Sequence, residues 1–150
     1  MKIGKKKTIL IVEDEENHIL IIRKAMEAIR DINCELLVAY DGEEVMQFLN
    51  SPTLPLPDLI LMDIKLPKKN GFELLQEIRQ QPRLKIIPII IFTSSNRQQD
   101  VQRCYELGGN SYIIKPMNFE EFKQIIFNIH KYWLTINTLP SYHPSESVLS

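Results

Sequence analysis

The chain has 150 residues, enough for one domain that buries about 70% of the surface its unfolded form exposes. With 44% hydrophobic and 25% charged residues it has the composition of a globular protein, and no window approaches the ~20 apolar residues of a membrane span. A formal net charge of −1 argues against nucleic-acid or membrane binding driven by bulk electrostatics.

The lysine-rich start, residues 1–6, resembles a signal-peptide n-region. The apolar run behind it is too short for one and meets Glu13-Asp14-Glu15-Glu16 at once. Residues 1–6 therefore read as a solvated tail, and the protein is expected in the cytoplasm. Residues 8–12 form a continuous β-branched run, the mark of a strand covered on both faces. From Asn17 onward, Ile19, Ile22, Met26 and Ile29 recur at helical steps. Residues 35–40 read as a second strand, and Asp41-Gly42 turns it into a short helix through Val45, Met46 and Leu49. Three prolines within residues 51–57 make a loop.

Residues 59–62 are a third strand ending on Asp63, and Asn70 is the expected N-cap of a helix lined by Phe72, Leu75 and Ile78. Residues 86–92 are the most hydrophobic run, broken only by Pro88, and stop at Thr93. A helix with Val101, Cys104 and Leu107 ends at Gly108-Gly109, a left-handed stop. Residues 111–114 form a fifth strand, closed by Lys115-Pro116, and a last helix runs from about Asn118 to Asn137. Residues 7–140 are thus one folded unit, with a polar, disordered tail over 141–150. Cys34 and Cys104 stand in no metal-type spacing and read as small core residues in a reducing compartment.

Strands alternating with helices imply an α/β fold, a parallel sheet covered on both faces. Right-handed crossovers favour the flavodoxin-like, doubly wound order 2-1-3-4-5. In that order the polar residues at the strand ends converge on one crevice: Glu13 and Asp14, Asp63, Thr93 and Lys115. Each alone reads as a cap, a turn residue or a surface charge; their joint placement at one edge is the signal. Three crowded carboxylates repel one another, which a hard dication and an ammonium would relieve. One carboxylate free as nucleophile, a hydroxyl and a cation suit phosphoryl transfer to aspartate.

The segments Ile11-Val-Glu-Asp14, Leu61-Met-Asp-Ile-Lys-Leu-Pro67, Asn70-Gly71, Phe92-Thr-Ser94 and Gly108-Gly-Asn-Ser-Tyr-Ile-Ile-Lys-Pro116 carry a resemblance. The chain resembles the receiver domain of two-component response regulators over residues 7–134. That resemblance implies Asp63 as phosphoacceptor and Mg²⁺ held by Asp14, Asp63 and the backbone carbonyl of Lys65, with Glu13 acting through water. It implies Thr93 and Lys115 as phosphoryl partners, Tyr112 as a rotamer switch, and a cis peptide between Lys115 and Pro116. Glu13 stands where the family often has aspartate, and Lys65 is an unusual cation beside the acceptor. The ending, residues 132–140, is similar to that of the small regulators paired with bacterial phytochrome histidine kinases, which implies such a kinase as partner.

Trp133, Leu134, Ile136 and Leu139 are too apolar for a free tail. Either the chain's own sheet or a second copy covers them. The preferred reading is a homodimer seam along the last helix, with Phe127 and Leu134 at its centre and His130 beside them. The function expected is a phosphorylation switch, self-catalysed in gaining and losing its phosphoryl group, with no nucleic-acid or membrane partner. An intermediate carrier in a multi-step phosphorelay is the alternative. An aspartyl-phosphate phosphohydrolase is weaker, because Lys65 stands where such enzymes resemble one another in a second acid. A flavin-binding flavodoxin is weaker still, because acids follow strand one where a phosphate loop belongs.

Overall fold

The computed structural model describes residues 6–141. The lysine-rich tail and the polar tail fall outside the described residues, apart from Lys6 and Ser141. In chain order the elements are β1 (Lys7–Val12), α1 (Glu16–Ile29), β2 (Cys34–Ala39), α2 (Gly42–Leu49) and β3 (Leu59–Met62). There follow α3 (Gly71–Gln80), β4 (Ile89–Thr93), α4 (Gln98–Glu106), β5 (Ser111–Ile114) and α5 (Phe119–Ile129). A π-helical extension, His130–Ile136, continues α5. The strands are parallel in the order β2-β1-β3-β4-β5, as expected.

Strand side chains alternate between two cores, as a period of two requires. Leu10, Val12, Ile60 and Met62 pack with Val45 and Leu49 of α2, Leu75 and Ile78 of α3 and Cys104 of α4. Ile9, Ile11, Leu59 and Leu61 face Ile22 and Ala25 of α1 and Phe122 and Ile126 of α5. The ladder of β4 starts after Pro88, which has no N–H to give, and Ile86 is left exposed. Local chemistry sets the helix ends. Asp41, Asn70 and Asn118 cap α2, α3 and α5, each accepting the backbone N–H three residues on. Gly108, at φ +100°, follows α4 in the left-handed region. Among the described residues no helix is long and apolar enough to cross a membrane.

Two expectations need correction. No cis peptide occurs among the described residues, so Lys115–Pro116 is trans. Trans is favoured by about 0.5–1 kcal/mol even before proline. The second concerns the last helix. Leu134 is 3% exposed and lies in the core of the chain's own sheet, with Trp133 and Leu139 packed against the same cluster. His130 is also buried, paired with Asp31. The change of winding explains this. The wider π winding, with hydrogen bonds five residues apart, turns Leu134 away from the flank of Phe127 and towards the core face, where it joins Ile129. The sheet, not a second copy, covers Leu134 and His130.

Candidate functional site

The register of the sheet assembles the site. Val12 pairs with Met62, so Glu13 and Asp63 leave adjacent strands side by side, tied by the Asp63 N–H to the Val12 carbonyl at 3.0 Å. Thr93 pairs with Ile114, so Lys115 emerges one residue beyond Thr93, its N–H on the Thr93 carbonyl at 2.7 Å. Behind Asp63, the loop closes where Gly71 N–H reaches the Ile64 carbonyl at 2.8 Å. A Cβ on Gly71 would lie 2.6 Å from the Asp63 carbonyl oxygen, so only glycine lets α3 start this close to the acceptor loop.

The Lys115 ammonium is the centre of the arrangement. It donates to Asp63 Oδ2 at 2.6 Å, to Glu13 Oε1 and to His18 Nδ1 at 2.9 Å. Lysine has only donors, so His18 Nδ1 accepts. The Lys115, Glu13 and Asp63 side chains are 2%, 4% and 8% exposed, making a nearly dry cluster of two carboxylates around one ammonium. Burial is the largest influence on Glu13 and holds its carboxyl above the ordinary range, although Lys115 opposes it. The other Glu13 oxygen accepts the N–H groups of Asp14 and Glu15, both at 3.1 Å. The remaining Asp63 oxygen, Oδ1, accepts the Lys65 N–H at 3.2 Å. Asp14, the next residue after Glu13, is exposed.

Thr93 is fully buried, and its hydroxyl has no hydrogen-bond partner among the described residues. An orphaned buried hydroxyl costs about 1–3 kcal/mol, which an arriving oxyanion would relieve. Tyr112 is half-buried and donates its hydroxyl to the Ser95 carbonyl at 2.9 Å, linking β5 to the loop after Thr93. Burial chiefly raises its pKa.

Glu13, Asp14, Asp63, Thr93 and Lys115 therefore gather at one sheet edge, while Phe127, His130 and Leu134 lie away from it on the last helical segment. His18 is the residue that sequence reasoning missed. It lies in the first turn of α1, just past the end of β1, where its ring reaches Lys115. Its ring rests 5.4 Å from Phe122. The donor set fits a hard dication: the carboxylate oxygens of Asp14 and Asp63, with two buried carboxylates compensated by a single ammonium.

A family model described as response regulator receiver domain matches residues 9–127. The response regulator Rcp1 of Synechocystis sp. is 37% identical over 139 residues, covering 90% of this chain and 94% of that protein. The crystal structure of the phosphorylated cyanobacterial phytochrome response regulator RcpA is similar at a TM-score of 0.85 and 38% identity, over 90% of this chain and 99% of that one. The Mn²⁺-bound form of Rcp1 matches at a TM-score of 0.84 and 37% identity, with the same two shares.

Proposed function

The chain belongs to the response regulator receiver family, and from that premise we propose that it is a phosphorylation switch whose acceptor is Asp63. The observation that carries the reading is the dry cluster at the sheet edge: Lys115 bridging Glu13 and Asp63 beside the unpartnered Thr93 hydroxyl. The Asp63 carboxylate forms a P–O bond as the P–N bond of a phosphohistidine on a kinase breaks. Lys115 moves from the carboxylate to a phosphoryl oxygen, and the Thr93 hydroxyl donates to another. Asp14, Asp63 and the Lys65 carbonyl would hold Mg²⁺, with Glu13 acting through water. When bound, the ion would supply charge neutralisation for the entering phosphoryl group.

Movement of Thr93 disturbs the loop to which Tyr112 is bonded, and so reaches α4, β5 and α5. The partner proposed is a phytochrome-type histidine kinase in the cytoplasm. This rests on the likeness to RcpA and Rcp1 along nearly their whole length. Pairing of two copies along α5 belongs to the proposal in a reduced form. It would use the exposed Phe119, Tyr132 and Ile136 and the edge of Phe127, and Phe127→Glu should shift sedimentation to monomer.

Incubation with acetyl phosphate tests the switch. One base-labile phosphoryl group per chain is expected, dependent on Mg²⁺ and absent from Asp63→Asn. Labelling that persists in that variant, or that ignores Mg²⁺, removes the assignment.

A further inference from the structure

At the opposite edge of the sheet from Asp63, three donors of different kinds meet. Asp31 lies in the connection from α1 to β2, Cys34 opens β2, and His130 stands where α5 changes to π winding. One ligand atom from each lies within 4.8 Å of the other two. We propose that Asp31, Cys34 and His130 bind a borderline transition-metal dication, Zn²⁺ foremost, that staples the π-helical extension to the start of β2.

The donor chemistry selects the ion. An imidazole, a thiolate and a carboxylate together suit Zn²⁺ and its neighbours, whereas Mg²⁺ belongs with the all-oxygen set around Asp63. The groups are held in place. Asp31 Oδ1 accepts the Asn33 N–H at 2.9 Å, which aims Oδ2 at His130 Nε2, also 2.9 Å away. The Cys34 N–H is fixed on the Asp31 carbonyl at 3.2 Å. Tetrahedral Zn²⁺ sets its N, O and S ligands about 3.3–3.6 Å apart. The Asp31–His130 contact opens by a few tenths of an ångström to reach that spacing, and the thiol closes in.

An open groove past Met26, Glu27, Arg30 and Ile32 reaches Asp31, so solvent has access to that ligand, and a water would complete the tetrahedron. The π winding that begins at His130 is a rare helical form that recurs at functional sites, and it begins on the ligand itself.

Binding releases the Cys34 thiol proton to solvent and takes the lone pair of His130 Nε2, so the imidazole then carries its proton on Nδ1 instead of directing it at Asp31. Burial raises the thiol pKa to about 11, so it is the ion that draws the proton off. The Lys7 ammonium, engaged by the Leu134 carbonyl, repels the dication but favours the thiolate.

The test is titration of the full chain with Co²⁺ in saturating Mg²⁺, read by absorption. A thiolate-to-cobalt charge-transfer band should grow to one equivalent, and Zn²⁺ should abolish it. The band should remain in Cys104→Ser and Asp63→Asn and vanish in Cys34→Ser. In His130→Gln the affinity should fall at least about tenfold, the loss that even outer partners of a metal site cause. Absence of the band in the natural chain, or its survival in Cys34→Ser, overturns the proposal. Should Cys34→Ser fail to fold, alkylation of Cys34 in the Cys104→Ser protein decides. Zn²⁺ should slow it at least about tenfold, and an unchanged rate overturns the site.

Discussion

Replacing Lys115 with methionine tests the electrostatic logic of the acceptor site without any phosphodonor. The ammonium contacts Glu13 and sits 2.6 Å from Asp63, with all three side chains less than a tenth exposed. Removing one partner from a buried ionic cluster costs about 3–5 kcal/mol, because the charge left behind stays desolvated. Methionine offers little in return, since the lysine stem is already packed. The Glu13 carboxyl, already held up by burial, would rise further without Lys115. A carboxyl whose folded pKa is raised binds more protons folded than unfolded. Its destabilisation therefore grows as pH rises from the unfolded value of 4.5 through the folded one, and fades on acidification.

Urea denaturation should show a midpoint lowered by more than about 1 M at pH near 7, given slopes of about 1–3 kcal/mol/M. The deficit should shrink as the pH is lowered towards 4.5. Mg²⁺ at about 100 times its Kd should return about 2.7 kcal/mol to a site able to hold it. A deficit under about 1 kcal/mol at neutral pH, or one indifferent to acidification, would refute the claim that these carboxylates are desolvated.

Three further outcomes follow from the packing. Leu134→Ala should cost about 2–5 kcal/mol by chemical denaturation, as for a core leucine; no change would place the side chain in solvent. Gly71→Ala puts a Cβ 2.8 Å from the Ile64 Cα and closer still to the Asp63 carbonyl oxygen, backbone atoms that cannot swing aside. It should lower stability by about 1–3 kcal/mol and slow acetyl-phosphate labelling several-fold. Arg79 donates to the carbonyls of Gly108, Lys85 and Ile87 and to Asn110 Oδ1, pinning α3 to the turn before β5. Arg79→Leu should cost about 2–3 kcal/mol, visible as a Tm lowered by several degrees.

Much of this was readable along the chain, and the reason is locality. Buried runs at residues 8–12 and 59–62, the cap Asn70 and the stop at Gly108 each act within a few residues. The way such units connect leaves few orders, and 2-1-3-4-5, the flavodoxin-like one, is selected among them. Because open sheets bind at the carboxyl ends of strands, Asp63, Thr93 and Lys115 could be placed at one edge before any coordinates. His18 was less legible, since a histidine on a first helical turn has many meanings until a lysine from β5 reaches it.

What depended on distance in space was hidden. Asp31, Cys34 and His130 show no motif, because nearly a hundred residues separate the first two from the third, and only the β1–β2 pairing and the packing of α5 on α1 unite them. The winding of the last helix decided whether Leu134 faced a partner or the sheet. Apolar periodicity alone could not, since the four- and five-residue steps of the α and π forms diverge only after His130. The sequence by itself determined the elements, their order and the chemistry delivered to the edge at Asp63. Only the tertiary structure decided how that charge is compensated and which surface the extension covers, because desolvation and packing are properties of neighbours in space rather than along the chain.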